Sequence, residues 1–255
     1  MATLVFLHAH PDDEATSTGG TMALAHDLGH RVVWICCTDG SQGTPTGDAD
    51  ESVAAVRRRE ALDSAAILGV DRVVFLDHLD SGMTGWQSNK DPDAFMNVDP
   101  QVVGRDVAEI LDEEQADVLV GYDWHGNYGH PDHVMVHKVM NAAADQAATR
   151  PRVLQATMNR DAMREGYDAE SDIGIDPDAP SDDGNPFGTP ESELAWKIDV
   201  SQTVMRKRAA LAAHASQSDA KQLLEMPEEF FMLAFRHEYF IEEGVGPMRE
   251  AWPFA

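Results

Sequence analysis

Basic residues are scarce in this sequence of 255 residues. Nineteen lysines and arginines stand against 45 aspartates and glutamates, a formal net charge of −26. A field of that sign repels phosphate backbones and anionic lipid surfaces, which excludes nucleic acid and membranes as expected partners. Cysteine is almost lacking, and the two present, Cys36 and Cys37, are adjacent. They close an apolar, β-branched run, and neighbours in a strand point to opposite faces, so no disulfide between them is expected and a reducing cytoplasmic compartment fits. No apolar run approaches the roughly 18 residues of a membrane helix. Acidic residues begin by Asp12 with no basic stretch before them, so no signal peptide is expected. Repeats are absent, and so is any composition shift that would mark a second domain.

What is present is an alternation of short apolar runs with amphipathic segments. Residues 4–7, 31–37, 72–76, 117–122 and 153–157 read as strands, the first of them too short for a helix and without polar alternation. Buried parallel strands carry that pattern. Residues 21–28 (with Gly29 as C-cap), 51–69, 101–115 and 133–147 read as helices between them. The order predicts an α/β fold of Rossmann-like kind, a mostly parallel sheet flanked by helices in a single domain over residues 1–255. A further strand is expected at 194–200 and a helix at 201–216. The tail from residue 228, rich in Phe, Met and Trp, is expected to pack back on the domain. Residues 77–100 form a connection long enough to suggest function. The acidic, Pro/Gly-rich stretch at about 160–193 reads on composition as a mobile solvated insertion, with a substrate lid as the sharper reading. EF-hand spacing is absent from it.

The first strand runs directly into His8-Ala9-His10-Pro11-Asp12-Asp13-Glu14. Two imidazoles and three carboxylates at the end of a buried strand are costly unless something binds them. A divalent metal held by a histidine and a carboxylate, with a second carboxylate free to act on water, is one reading. A solvated loop whose carboxylates cap the next helix is the other. A second cluster, Tyr128-Gly129-His130-Pro131-Asp132-His133, follows the fourth strand at the entry to a helix. The C-terminal ends of parallel strands share one edge, so the two clusters can converge across a crevice there. Two histidine–proline–aspartate loops on one sheet edge favour the metal centre.

These paired motifs resemble the LmbE-like (PIG-L) superfamily of zinc-dependent N-deacetylases. Weaker support comes from Asp80-Ser81-Gly82-Met83 and from residues 209–217, which include His214-Ala215-Ser216-Gln217. Within the superfamily the chain looks most like the deacetylases of mycothiol biosynthesis and the related mycothiol-conjugate amidases. The resemblance implies a Rossmann-like hydrolase with His10, Asp13 and His133 as ligands of one zinc ion per chain, ferrous iron being the alternative. Two imidazoles and one carboxylate leave a position open, as in catalytic sites. It further implies Asp12 as general base. His130, as imidazolium, would stabilise the oxyanion and protonate the departing amine, with Asp132 holding its ring and raising its pKa and Tyr128 donating its hydroxyl. Glu14 would orient the loop or a ligand. Arg57 and Asp80 match substrate-binding positions, and a guanidinium and a carboxylate suit a polyhydroxylated amino-sugar. An arginine triplet on a helix, Arg57-Arg58-Arg59, is otherwise a solvated face. His125, His137 and His214 read as structural.

The expected function is therefore removal of acetyl from an N-acetylglucosamine-type substrate, such as an N-acetylglucosaminyl inositol. Alternatives in the same class are an amidase on mycothiol S-conjugates and a deacetylase of an antibiotic sugar. A non-catalytic sugar- or metal-binding protein on the same fold would keep the ligands but not the base, and this chain keeps Asp12. One set of three ligands argues against a two-metal phosphatase. Residues 124–127 and the acidic stretch depart from the pattern where substrate would be selected. The sequence leaves homo-oligomerisation open.

Overall fold

The computed structural model describes residues 1–43, 51–166 and 176–254. In chain order the elements are β1 (Thr3–His8), α1 (Gly19–Asp27), β2 (Arg31–Thr38), α2 (Val53–Leu68), β3 (Arg72–His78), α3 (Pro100–Glu114), β4 (Val118–Tyr122), α4 (Gly126–Gly129, one distorted turn), α5 (Pro131–Gln146), β5 (Arg152–Thr157), α6 (Arg160–Gly166), β6 (Trp196–Asp199), α7 (Val204–Ala213), α8 (Ser218–Leu224), α9 (Glu228–Phe235), β7 (His237–Ile241) and β8 (Arg249–Glu250). They build one eight-stranded sheet in the order β3-β2-β1-β4-β5-β7-β6-β8. The first five positions are parallel, and β7 then runs antiparallel to both β5 and β6. The expected α/β fold with a mostly parallel sheet is what forms.

Strand β1 shows why. Leu4 and Phe6 enter the hydrophobic cluster on one face of the sheet, and Val5 and Leu7 enter the other. Both faces are covered, so the strand reads as a continuous apolar run, and each buried side chain contributes about 1.5–3 kcal/mol. Cys36 and Cys37 divide between the same two clusters as free thiols. On one side α3 packs against α5 through Val103, Val107 and Leu111 against Val136, Val139 and Met140.

Two local expectations are corrected. Residues 237–241 form a strand that was not foreseen, and it inserts between β5 and β6. Its inward Glu238 is buried, receives Lys207 Nζ at 2.6 Å, and accepts the Gly20 and Thr21 N–H groups at the start of α1. The helix expected at 201–216 ends at Ala213, which leaves His214 beyond it. A wide π-type turn, Glu14–Thr18, precedes α1. Part of the acidic stretch, residues 167–175, lies outside the described residues. No helix among the described residues is long and apolar enough to cross a membrane.

The order β2-β1-β4 makes the gap between β1 and β4 the point where the direction of winding reverses. Their carboxyl ends open a crevice there, and both motif loops leave from it.

Candidate active site

The chain turns back on itself straight after β1. The His10 N–H donates to Asp13 Oδ2 at 2.8 Å, and the Asp13 N–H reaches the His10 carbonyl. That turn sets the Asp13 oxygen 3.2 Å from His10 Nδ1. The same oxygen lies 3.2 Å from His133 Nε2, delivered from α5 across the crevice. Ligand atoms held tetrahedrally by bonds of about 2.0–2.1 Å stand about 3.3 Å apart. The Asp13 oxygen thus stands from each imidazole nitrogen at the separation of two ligands on one zinc-type ion.

The far nitrogens fix which ring atoms are free. His133 Nδ1 faces the Gly126 carbonyl at 3.3 Å, and a carbonyl can only accept, so the proton is on Nδ1. His133 Nε2 is left buried with no hydrogen-bond partner, which suits a metal ligand. His10 Nε2 faces Asp132 Oδ2 at 3.1 Å and Asp80 Oδ1 at 3.5 Å, so a proton sits there, and Nδ1 is the nitrogen turned toward Asp13. Gly126 makes this approach feasible. It has φ +66°, and a β-carbon on it would stand 2.3 Å from that of His133. Burial resists charging of His10, yet Asp80, Asp13 and Asp132 raise its pKa well above the usual imidazole value. Burial likewise opposes charge on Asp13, and His133 and His10 more than offset it, holding that carboxyl well below its usual range. The trio draws positive charge to its centre.

His130 is placed close by but differently occupied. Its ring centroid is 4.6 Å from that of His10 and 5.2 Å from that of His133. As N-cap of α5 it accepts the Asp132 N–H on Nδ1 at 3.1 Å, so its remaining proton is on Nε2. His10, His130 and His133 are close enough to form a three-histidine set, but a ring whose outward nitrogen carries hydrogen is a donor, and Asp13 is the better third ligand. Burial, then the neighbouring His10 and His133, push the His130 pKa down to about 2. The expected Asp132–His130 side-chain contact is corrected: the Asp132 carboxylate accepts from Ser81 N and pairs with His10.

Asp12 stands beside the trio with φ +119°, unusual for a residue with a β-carbon. Its Oδ2 meets Arg57 Nη2 at 2.9 Å, and its N–H donates to Glu14 Oε2 at 2.9 Å. Burial raises its pKa, Arg57 lowers it and Asp13 raises it, with a result of about 6. Glu14 holds the loop, as expected. Tyr128 is half-buried with its ring edge-on to His133 at 4.9 Å. Burial and then Asp13 and Asp12 raise its pKa well above the phenol value, so it stays a donor.

Arg57 is not on a solvated face. It is buried, with Nη1 on the Gly40 carbonyl at 2.7 Å and Nη2 on the Pro11 carbonyl at 2.6 Å as well as on Asp12. Both terminal nitrogens are thus occupied by the loop, where the sequence led us to expect sugar hydroxyls. Asp80 is buried against His10 and accepts the Gly82 N–H at 2.8 Å and the Gln42 N–H at 3.1 Å. Burial works against its charge, but His10 and Gly82 drive its pKa below the usual carboxylate range.

Sequence reasoning missed Tyr122, whose ring lies parallel to His133 at 4.2 Å and whose hydroxyl accepts the Ala9 N–H. Its position as last residue of β4 was the available signal. The described part of the acidic stretch bonds to the loops around the crevice. Gly188 N–H donates to Asn127 O, Asp182 N–H donates to Tyr128 O, and Thr84 N–H donates to Asp182 Oδ2. Described residues 176–190 are a strap joining the loops on both sides of the crevice. An open groove of about 540 Å³, lined by Gln42, Gln87, Ser88, Lys90, Asp91 and Pro92, adjoins the site at Gln42.

The fold, the clustered carboxylates and imidazoles, and the relatives below place the protein among the deacetylases, which are amide hydrolases. The chain belongs to the PIG-L family, described as GlcNAc-PI de-N-acetylase, whose family profile matches residues 5–144. Among its relatives is a 1D-myo-inositol 2-acetamido-2-deoxy-α-D-glucopyranoside deacetylase of Acidothermus cellulolyticus, 34% identical over 94% of this chain and 88% of its own length. The enzyme of that name from a Mycobacterium species (strain KMS) is 34% identical over 84% of this chain and 73% of its own. The fold is shared with N,N'-diacetylchitobiose deacetylase from Pyrococcus horikoshii, at TM-score 0.58 and 22% identity over 94% of this chain and 83% of the other. A 4-carboxy-2-hydroxymuconate hydratase from Pseudomonas putida has the fold as well, at TM-score 0.60 and 16% identity over 100% of both chains. The fold alone therefore leaves the chemistry open.

Proposed function

We propose that the protein is a zinc-dependent N-deacetylase that hydrolyses the acetamide of an N-acetylglucosaminyl inositol or a closely related amino-sugar, in a cytoplasmic setting. The carrying observation is the Asp13 oxygen 3.2 Å from both His10 Nδ1 and His133 Nε2, with Asp12 beside it. Those three residues would hold one divalent ion, zinc with ferrous iron as alternative, and when bound it supplies Lewis acidity to the amide carbonyl and lowers the pKa of water.

The remaining chemistry belongs to side chains. Asp12 takes a proton from the attacking water on its carboxylate, for which a pKa of about 6 is well placed near neutrality. As the amide carbon becomes tetrahedral, Tyr128 O–H and His130 Nε2–H donate to its oxygen. The C–N bond then breaks, and the proton held by Asp12 passes to the departing nitrogen, giving acetate and the free amine. With Nδ1 taken by the Asp132 N–H, His130 has its Nε2–H free for that donor role. Arg57 holds Asp12 in place, and Asp132, with Asp80 beside it, keeps a proton on His10 Nε2 and leaves Nδ1 free to ligate. The amides, hydroxyl, ammonium and carboxylate of the groove beside Gln42 suit a polyol aglycone. The relatives named as inositol-linked deacetylases support that substrate, and two free buried thiols support the compartment.

The test is amine release, followed by mass spectrometry, from zinc-loaded protein. The panel is an N-acetylglucosaminyl inositol, free N-acetylglucosamine, a mycothiol S-conjugate and an acetylated antibiotic sugar. Release from the inositol compound above the others is expected. No amine from any of the four, with one metal ion bound per chain, would overturn the reading.

A further inference from the structure

We infer that His214 is a positioning residue for Asp12, acting through Glu14. The inference rests on Asp12 being the base. His214 is the first residue beyond α7, 200 positions from Glu14 in the chain, and it is wholly buried. Its Nε2 stands 2.7 Å from Glu14 Oε1, an oxygen that also receives the Ser64 hydroxyl. The other oxygen of Glu14 accepts the Asp12 N–H at 2.9 Å. Neither His214 nor Glu14 hydrogen-bonds to His10, Asp13 or His133 among the described residues. The network ends on the main chain of the base.

Asp12 needs such a hold. At φ +119° its backbone lies where L side chains rarely rest unless their surroundings enforce it. Arg57 grips its carboxylate on one side and the Pro11 carbonyl just before it. Glu14 grips its N–H, and His214 and Ser64 keep Glu14 aimed. Two contacts at opposite ends of one residue fix both where the carboxylate sits and which way it faces.

The segment around His214 is built to the same end. Ser216 N–H and Oγ both donate to Glu60, at 2.7 and 2.6 Å. Gln217 Oε1 and Arg57 Nη1 both lie close to Gly43. Residues 214–217 are thus fastened to α2, the helix that also carries Arg57 and Ser64. This accounts for the His214-Ala215-Ser216-Gln217 motif, in which the metal chemistry has no part. A purely stabilising pair is a weaker account, because a buried ion pair is roughly matched by a packed apolar pair of the same size.

The test measures kcat, KM, zinc content and melting temperature of zinc-loaded His214→Ala and His214→Gln, each alone and combined with Asp12→Asn, on an N-acetylglucosaminyl inositol. His214→Ala is expected to lower kcat roughly ten- to a hundredfold, the cost of a misplaced group, with KM and zinc content unchanged. His214→Gln, whose amide N–H can replace the imidazole N–H, should recover most of the loss. In the Asp12→Asn background His214→Ala should cost nothing more, because the two residues act as a unit. An equal fold-loss in both backgrounds, or an unchanged kcat while Asp12→Asn alone is crippled, overturns the inference and leaves the base in place. Wild-type turnover in Asp12→Asn overturns the base, and the inference with it. Should His214→Ala fail to fold, His214→Asn, too short to reach Glu14, is compared with His214→Gln, and equal kcat in those two overturns the inference.

Discussion

The two loops that meet over the crevice are held in opposite ways. The loop after β1 is fixed by side chains from far along the sequence: Arg57 and Ser64 from α2, His214 from beyond α7. The loop after β4 is held largely through main-chain groups, its own and those of the strap at Asp182 and Gly188. Gly126 and Asn127 have positive φ, the Gly126 carbonyl orients His133, and the Asp132 N–H orients His130. Side-chain support can be tuned one atom at a time, and it serves the group whose protonation has to be poised. Main-chain support is stiff, and it serves ligands and donors that only have to stay still.

The contrast can be broken at five positions, from the largest effect down. His133→Ala removes a ligand and should abolish metal binding and turnover together. Elemental analysis and amine release check this, and full metal content in the variant would remove the site. Asp12→Asn should keep the metal while lowering kcat roughly a hundredfold or more, as for a lost general base. Asp13→Asn should instead weaken metal binding, with excess zinc restoring part of the activity. If the Asp12 variant loses metal and the Asp13 variant keeps it, the two roles are reversed. Gly126→Ala should destabilise the fold by about 1–3 kcal/mol and weaken metal affinity, because a β-carbon there drives into His133. Denaturant unfolding and zinc titration measure both effects, and an unchanged variant would show that the second loop is not held by its main chain. Asp182→Ala removes the strap's contact with Thr84 and should raise KM no more than about tenfold with kcat intact, the scale of one hydrogen bond. A loss in kcat would place the strap in the chemistry.

The convergence of the loops was legible because β1 and β4 announce themselves as buried apolar runs and both end in histidine–proline–aspartate clusters. The direction of Arg57 was legible only in hindsight. It shares a helical stripe with Ala61, Ser64, Ala65 and Leu68, all buried on α2, but a guanidinium at the head of an apolar stripe reads as solvent-facing until its carbonyl partners are known. The tautomers were beyond reach, since they depend on which carbonyl or N–H lies behind each ring. Strand β7 was hidden by its own core residue: Glu238 points inward and breaks the alternation of polar and apolar positions. The contacts of residues 182–188 with both loops were not legible, because composition does not register which hydrogen bonds a segment makes.

Strand β7 also sets an order of assembly. Strand β6 has no place in the sheet until residues 237–241 arrive to pair with β5 and β6 together, so during synthesis it must wait for a partner made some 40 residues later. The same late strand carries Glu238, which completes the first N–H groups of α1, the helix that follows the catalytic loop. A growing chain can thus hold His10, Asp12, Asp13 and His133 while its first helix is still open at the amino end. Activity should appear late and all at once, with the docking of one short strand.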